Sequence, residues 1–355
     1  MAFSTFSTIS SNVKKSSKAV KQNTKSILTT TSTQIFAISN NGQSIIHIAG
    51  DANKTVKVSI DYGDTFTTKT SLPSTAGTMS YLKISNNGQY ILTANYGNGV
   101  SGSEGAWISK DTGGSWSKAP NIPTATNDNV TMVGISSNGR YMYVLIQQGN
   151  NGGVWSSNNY GDSFTRSSTM NSNQMDGTVS ADGKYISTVI YGASTLSVNN
   201  NYGDPNAWFT TNTGFSISHI GSYTSGDGMV IYNSGNGDYR LWVTSGVTNT
   251  TTKIITGVWT QSGANMQSLL SLVALQNRIC INNDGSAMYV LRSNNEIWVS
   301  TDKLSTQSKF TKLTSSTPSI STTSRIIAST NCKYILTSTN TSLYLTTQSD
   351  VVEII

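Results

Sequence analysis

Short apolar runs recur along the chain, each cut off by a polar turn. Residues 34–39, 81–85 and 132–136 are such runs, and each leads into a turn of the form Ser-x-Asn/Asp-Gly-x-Tyr/Ile, with Ser44 in the last place of the first. A second run follows the turn, as at 90–93, 141–145 and 185–189. A glycine-containing link then leads to a third run built around an aromatic: Trp107, Trp155, Trp242, Trp298 or Tyr344. A polar turn and a short fourth run complete the unit. Runs this short, rich in β-favouring residues and bounded by turn formers, predict a meander of four antiparallel strands.

The unit repeats. The turn glycines or their stand-ins are Gly42, Gly88, Gly139, Gly183, Gly228, Gly285 and Cys332, at spacings of 46, 51, 44, 45, 57 and 47 residues. That period, with four strands per unit, is the signature of a β-propeller blade. The sequence therefore predicts an all-β fold: a seven-bladed β-propeller of four-stranded antiparallel blades over residues 27–355, preceded by an arm of residues 1–26. One isolated sheet cannot bury both of its faces. Stacking each between two neighbours does so, which explains why the strands are apolar runs and not alternations.

The seventh unit shows only three clear strands, at 325–329, 333–338 and 342–347. Residues 25–29 resemble the fourth strand of other units, such as 309–313, so the N-terminus is expected to supply the missing strand and close the ring. Residues 351–355 are a rival for that place. The long spacing before Gly285 holds an apolar insertion at 265–275, read as a short helix or strand packed on the blade beneath it.

Composition narrows the functional classes. Only 11% of residues are charged, under half of the usual share of about 25%. Lys14, Lys15, Lys18, Lys21 and Lys25 all precede the first acidic residue, Asp51, and without them the net charge of +6 falls to +1. A nearly neutral body argues against a broad nucleic-acid face. The five lysines mark the arm as a docking segment or a solubilising tail. No run is long and apolar enough for a membrane helix, and no apolar stretch follows the first lysines as in a secretory signal. The expectation is a chain made in the cytoplasm and possessing two free thiols, Cys280 and Cys332.

A second motif closes the third run of several units. Ser59, Asp61, Gly63 and Phe66 stand in one Ser-x-Asp-x-Gly-x-Ser/Thr-aromatic octet, and Ser109, Asp111, Gly113 and Trp116 in another. Ser157, Asn159, Gly161 and Phe164 form a third, with Asn in place of Asp; looser copies start at Asn199 and Ser300. The octet resembles the Asp-box, or BNR repeat, of sialidase-like propellers. In that family the boxes lie on peripheral hairpins away from catalysis, so the resemblance implies structural roles for all twelve residues. The residue types agree: a carboxylate or amide accepts backbone N–H groups, the hydroxyls add local bonds, glycine permits positive φ, and the aromatic folds onto the sheet. The octet carboxylates supply too few oxygens for a dedicated calcium site.

Catalytic chemistry is not indicated. A sialidase needs an arginine cluster, a Tyr–Glu pair and an acid/base Asp. This chain has only Glu104, Glu296 and Glu353, and lacks the family's early Arg-Ile-Pro motif. Asp128, Asp176, Asp204, Asp227 and Asp238 lie in or near connections, with no spacing that pairs them for glycoside hydrolysis. His47 and His219 are isolated. No catalytic, cofactor or metal residue is assigned. The expectation is a non-catalytic structural or interaction protein, docked through residues 1–26 to protein partners or neighbouring subunits. The Ser/Thr/Asn-rich body also resembles BNR-type propellers of large DNA viruses of protists, which implies a virion component. A glycan-binding module using Tyr96, Tyr160, Tyr191, Tyr202 and Trp208, or a glycoside hydrolase of non-sialidase type, are the alternatives.

Overall fold

The computed structural model describes residues 21–30, 33–77, 79–95, 105–123, 129–147, 151–167, 174–190, 195–212, 326–329, 333–338 and 341–349. It also describes the strand segments 223–224, 231–234, 241–244, 259–261, 279–281, 288–291, 297–300 and 311–312. Among these residues there are seven four-stranded antiparallel sheets. We call them blades one to seven and letter the strands of each a to d from the ring axis outward.

Blade one is Thr33–Ile38, Ile45–Ala49, Val56–Ser59 and Thr67–Lys69. Blade two is Met79–Ile84, Ile91–Asn95, Ala106–Ser109 and Ser117–Lys118. Blade three is Val130–Ile135, Met142–Ile146, Gly153–Ser157 and Thr165–Arg166. Blade four is Gln174–Val179, Ile186–Ile190, Thr195–Asn199 and Trp208–Asn212. Blade five is Tyr223–Thr224, Ile231–Ser234, Leu241–Thr244 and Trp259–Gln261. Blade six is Ile279–Ile281, Met288–Leu291, Ile297–Ser300 and Thr311–Lys312.

Blade seven takes strands a to c from the end of the chain, Ile326–Ala328, Tyr334–Ser338 and Ser342–Ser349. Its strand d is Lys21–Thr29, which pairs with strand c from Lys21↔Ser349 to Thr29↔Ser342, with a register shift between Ser26 and Leu28. The N-terminus thus closes the ring. Strand a of each blade contacts strand a of the next, and strand a of blade seven contacts that of blade one. The latch starts at Lys21, so the boundary drawn at residue 26 falls inside it, and Lys21 and Lys25 belong to the ring. The rival segment 351–355, the insertion at 265–275 and Cys332 lie outside the described residues; Cys280 lies in strand a of blade six.

The core lies between blades. Strand b of blades one, two and three is buried along its whole length. Ile46, Ile48 and Val58 of blade one pack with Leu82, Ile84, Ile91 and Trp107 of blade two. Leu92 and Ile108 of blade two pack with Val133, Met142 and Val144 of blade three. Phe36, Ile38 and Ile45 of blade one meet Leu336, Leu343 and Leu345 of blade seven, with Ile27 and Leu28 of the latch against them. Each such side chain contributes on the order of 1.5–3 kcal/mol by leaving water, and no blade can gather that burial alone.

Candidate functional site

In a four-stranded meander the a–b and c–d turns emerge at one end of the blade and the b–c and d–a connections at the other. Both sequence motifs therefore lie on one face of the ring, and the first four blades show how.

In blade one the Ser59 hydroxyl donates to Asp61 Oδ1 (2.7 Å) and accepts from the Gly63 N–H (2.9 Å). The Thr65 N–H donates to Asp61 Oδ1 (3.0 Å) and its hydroxyl to Oδ2 (2.5 Å). Blade two repeats the arrangement with Ser109, Asp111, Gly113 and Ser115. Blade three repeats it with Ser157, Asn159, Gly161 and Ser163, the amide nitrogen of Asn159 now donating to the Ser163 hydroxyl. In blade four Asn199 replaces the serine and accepts from the Gly203 N–H (2.9 Å). Both Asp61 oxygens are occupied, and hydrogen bonds from the Thr65 hydroxyl, the Thr65 N–H and the Ser59 hydroxyl lower its carboxyl to a pKa of about 2. Burial raises the Asp111 carboxyl, but bonds from Ser115 and Ser109 outweigh it and hold it below the usual carboxylate range.

The a–b turns are tied in a parallel manner. The Ser39 hydroxyl donates to Asn41 Oδ1 (2.8 Å) and accepts from the Ser44 N–H (2.9 Å). Ser85 with Asn87, Ser136 with Asn138 and Ser180 with Asp182 do the same. The two turn families are then joined: the N–H groups of Tyr62, Thr112, Tyr160 and Tyr202 donate to the carbonyls of Gln43, Gln89, Arg140 and Lys184.

The octet aromatics enter the clusters between their own blade and the preceding one. Phe66 packs against the cluster between blades one and seven, Trp116 against that between blades one and two, and Phe164 is buried in that between blades two and three. Each of these clusters also holds residues of the aromatic's own blade, so the octet aromatic joins its blade to the preceding one.

On the turn face a cavity of about 540 Å³ lies between blades three and four. It is lined by Ser137, Asn138, Arg140, Tyr141, Ala181, Asp182 and Tyr202. Tyr141 and Tyr202 stack with ring centres 4.4 Å apart, and Arg140 sits 5.4 Å from the Tyr141 ring while donating from Nε to the Asn158 carbonyl. Two of the tyrosines and the tryptophan considered for sugar stacking are similarly engaged: Tyr160 stacks on Tyr90 (5.0 Å), Tyr202 on Tyr141, and Trp208 Nε1 donates to Ser167 Oγ (2.8 Å). Tyr96 and Tyr191 lie outside the described residues.

Among the considered acids, Asp204 caps a short turn by accepting from the Asn206 N–H, and Asp176 lies in strand a of blade four. Asp128, Asp227, Asp238, His219 and the three glutamates lie outside the described residues. Among the described residues no three His, Cys, Asp or Glu side chains gather as a metal site, and no helix is long and apolar enough to cross a membrane. Of the arm lysines, Lys25 Nζ binds Asp64 of the blade one octet and Lys21 begins the latch; Lys14, Lys15 and Lys18 lie outside the described residues.

One group was not legible as unusual. His47, in strand b of blade one, is 1% exposed, and neither ring nitrogen has a hydrogen-bond partner. Burial first, then the Lys57 ammonium, lowers its pKa to about 4, against a smaller raising effect of Asp51.

Fold and turn chemistry together define the chain as a β-propeller. No protein-family profile matches it, and neither does any curated relative. Solved propellers do. YCF48 bound to D1 peptide is 12% identical, covers 94% of this chain and 97% of its own, and superposes with a TM-score of 0.59. The Cps50 (Swd1) β-propeller domain of Myceliophteria thermophila is 10% identical, with 92% and 99% covered and a TM-score of 0.63. The GH74 enzyme of Niastella koreensis is 16% identical over 91% of this chain and 59% of its own, with a TM-score of 0.53. At these identities the likeness is one of fold.

Proposed function

We propose that this chain is an Asp-box propeller of the sialidase-like type that has no catalytic role and acts as an interaction scaffold. It presents a rigid disc, and the segment preceding the latch docks it to protein partners in a larger assembly such as a virion. The observation that carries the reading is the latch. Lys21 pairs with Ser349 at the turn-face end of the outermost strand of blade seven. Residues 1–20, with Lys14, Lys15 and Lys18, are therefore joined to the ring at its rim, where we propose that a partner holds them without disturbing a blade. The described octet carboxylates support the non-catalytic part, since Asp61 and Asp111 spend their oxygens on turn hydrogen bonds. The likeness to YCF48, whose structure holds a D1 peptide, is in keeping with a propeller that binds polypeptide.

The test is deletion of residues 1–20. The ring should keep its thermal midpoint, and the chain should no longer enter the assembly from which the native protein is isolated. Undiminished incorporation overturns docking through this segment. Turnover of a polysaccharide by the purified chain overturns the non-catalytic reading.

A further inference from the structure

The ring is closed by contacts alone, and the seam that closes it differs from the others described. Directly opposed residues form one row across strands a, b and c of each blade, and in blades two and three that row faces the preceding blade. In blade two it is Leu82, Thr93 and Trp107, and in blade three Val133, Val144 and Trp155; the same register in blade six holds Ile279, Val290 and Trp298. Blades four, five and seven place Thr188, Asn233 and Thr337 at the strand b position. None of these six strand b residues titrates. In blade one the row is Phe36, His47 and Lys57. Directly opposed residues share a face, and Phe36 packs against Leu336, Leu343 and Leu345, so His47 faces blade seven. The seam thus has a lysine where blades two, three and six place tryptophan, and a buried imidazole beside it.

We propose that the seam between blades one and seven is an acid-sensitive opening point of the ring, where protonation of His47 releases the Lys21–Thr29 latch. A second cation beside Lys57, buried with no acceptor for either N–H, is opposed by desolvation and by like charge. The charged groups around it are Lys57 and Asp51 of blade one. From the blade seven side the latch brings Lys25, already bound to Asp64. None of them is an acceptor held against the imidazole. The seam is also the one place where blades can part without breaking a covalent blade-to-blade connection, because residues 21–29 reach blade seven only by strand pairing.

The sign follows from linkage. With a folded pKa near 4 against 6.5, the opened state binds a proton that the closed seam does not. Opening is therefore favoured as pH falls below 6.5, by about a hundredfold between pH 7 and pH 4.

The experiment is pulsed hydrogen exchange on the full chain from pH 7 to pH 4, corrected for intrinsic exchange and read by mass spectrometry. Exchange of 21–29 and 342–349 is expected to rise steeply while Val130–Ile135 and Met142–Ile146 stay protected. His47→Thr, the residue of blade two at that position, should abolish the rise. Lys57→Met, at a half-buried site that leaves the fold intact, should shrink it. Loss of protection in blade three together with the latch overturns the proposal. So does an unchanged rise in His47→Thr or in Lys57→Met.

Discussion

Asp61 shows what the octet acid does. It is half-buried, and hydrogen bonds from the Thr65 hydroxyl, the Thr65 N–H and the Ser59 hydroxyl favour its ionised form and lower its pKa to about 2. A group with a depressed folded pKa stabilises above its unfolded value near 3.8 and loses that contribution as pH falls toward 2. An NMR titration should place the Asp61 midpoint near 2. Asp61→Asn should be mild, because Asn159 holds the same turn in blade three with its amide. Asp61→Ala should lower stability by about 1–2 kcal/mol through the lost turn bonds, measured by chemical denaturation. The a–b turn glycines are more demanding. Gly139 has φ +78°, and a Cβ there would lie 2.3 Å from the Tyr90 ring of blade two. Gly139→Ala combines left-handed strain with a clash across the blade interface, so a loss of more than about 2 kcal/mol is expected in the same assay. Its place as a turn residue was legible from the repeat. Its role as a contact between blades was not, because the tyrosine it receives belongs to the preceding unit.

At the scale of elements, the octet carries a cost that the sequence motif does not reveal. Its fourth residue is left-handed in all four described copies: Tyr62, Thr112, Tyr160 and Tyr202 have φ of 60°, 62°, 61° and 50°. Bulky residues rarely adopt such angles. Three of the four are nevertheless tyrosine, and each stacks on the tyrosine that ends the a–b motif of the preceding blade: Tyr62 on Tyr334, Tyr160 on Tyr90, Tyr202 on Tyr141. Where the preceding blade has Ser44, the octet has Thr112 instead of tyrosine. The tyrosines co-vary as pairs between blades, with stacking worth about 0.5–1.5 kcal/mol offsetting the backbone strain. A double-mutant cycle tests this. Thr112→Tyr alone should be neutral or destabilising, and Ser44→Tyr with Thr112→Tyr should recover a coupling energy of about 0.5–1.5 kcal/mol. Additive effects would assign the tyrosines no mutual role. Strand existence, the two turn families and the Asp/Asn interchange were legible because they are local. The preceding-blade contacts of Phe66, Trp116 and Phe164 were not, because they depend on which blade lies behind each hairpin.

At the scale of the molecule, closure is a long-range event written in a short segment. Thr24 and Thr346 are hydrogen-bonded across 322 residues. The strand character of residues 25–29 was visible from its likeness to other fourth strands; its start at Lys21 was not, since four polar residues there join only because strand c of blade seven runs on to Ser349. The other described outer strands are two to five residues long, and the latch is nine. That length compensates for the entropy of joining the two ends of the chain, which grows with the logarithm of the loop. If so, making the contact local should leave the native ring intact and change how fast it forms. Lys21 and Ser349 end adjacent antiparallel strands, so a short glycine-containing hairpin can join Ser349 to Lys21 in a permuted chain that starts at Thr33 and ends at Thr29. Blade seven then has the contiguous order of the other six. The permutant should denature within about 2 kcal/mol of the native chain and refold faster, because its closing strand no longer waits for a contact of the highest order in the fold. Equal refolding rates would place the rate-limiting step in the blades and not in closure.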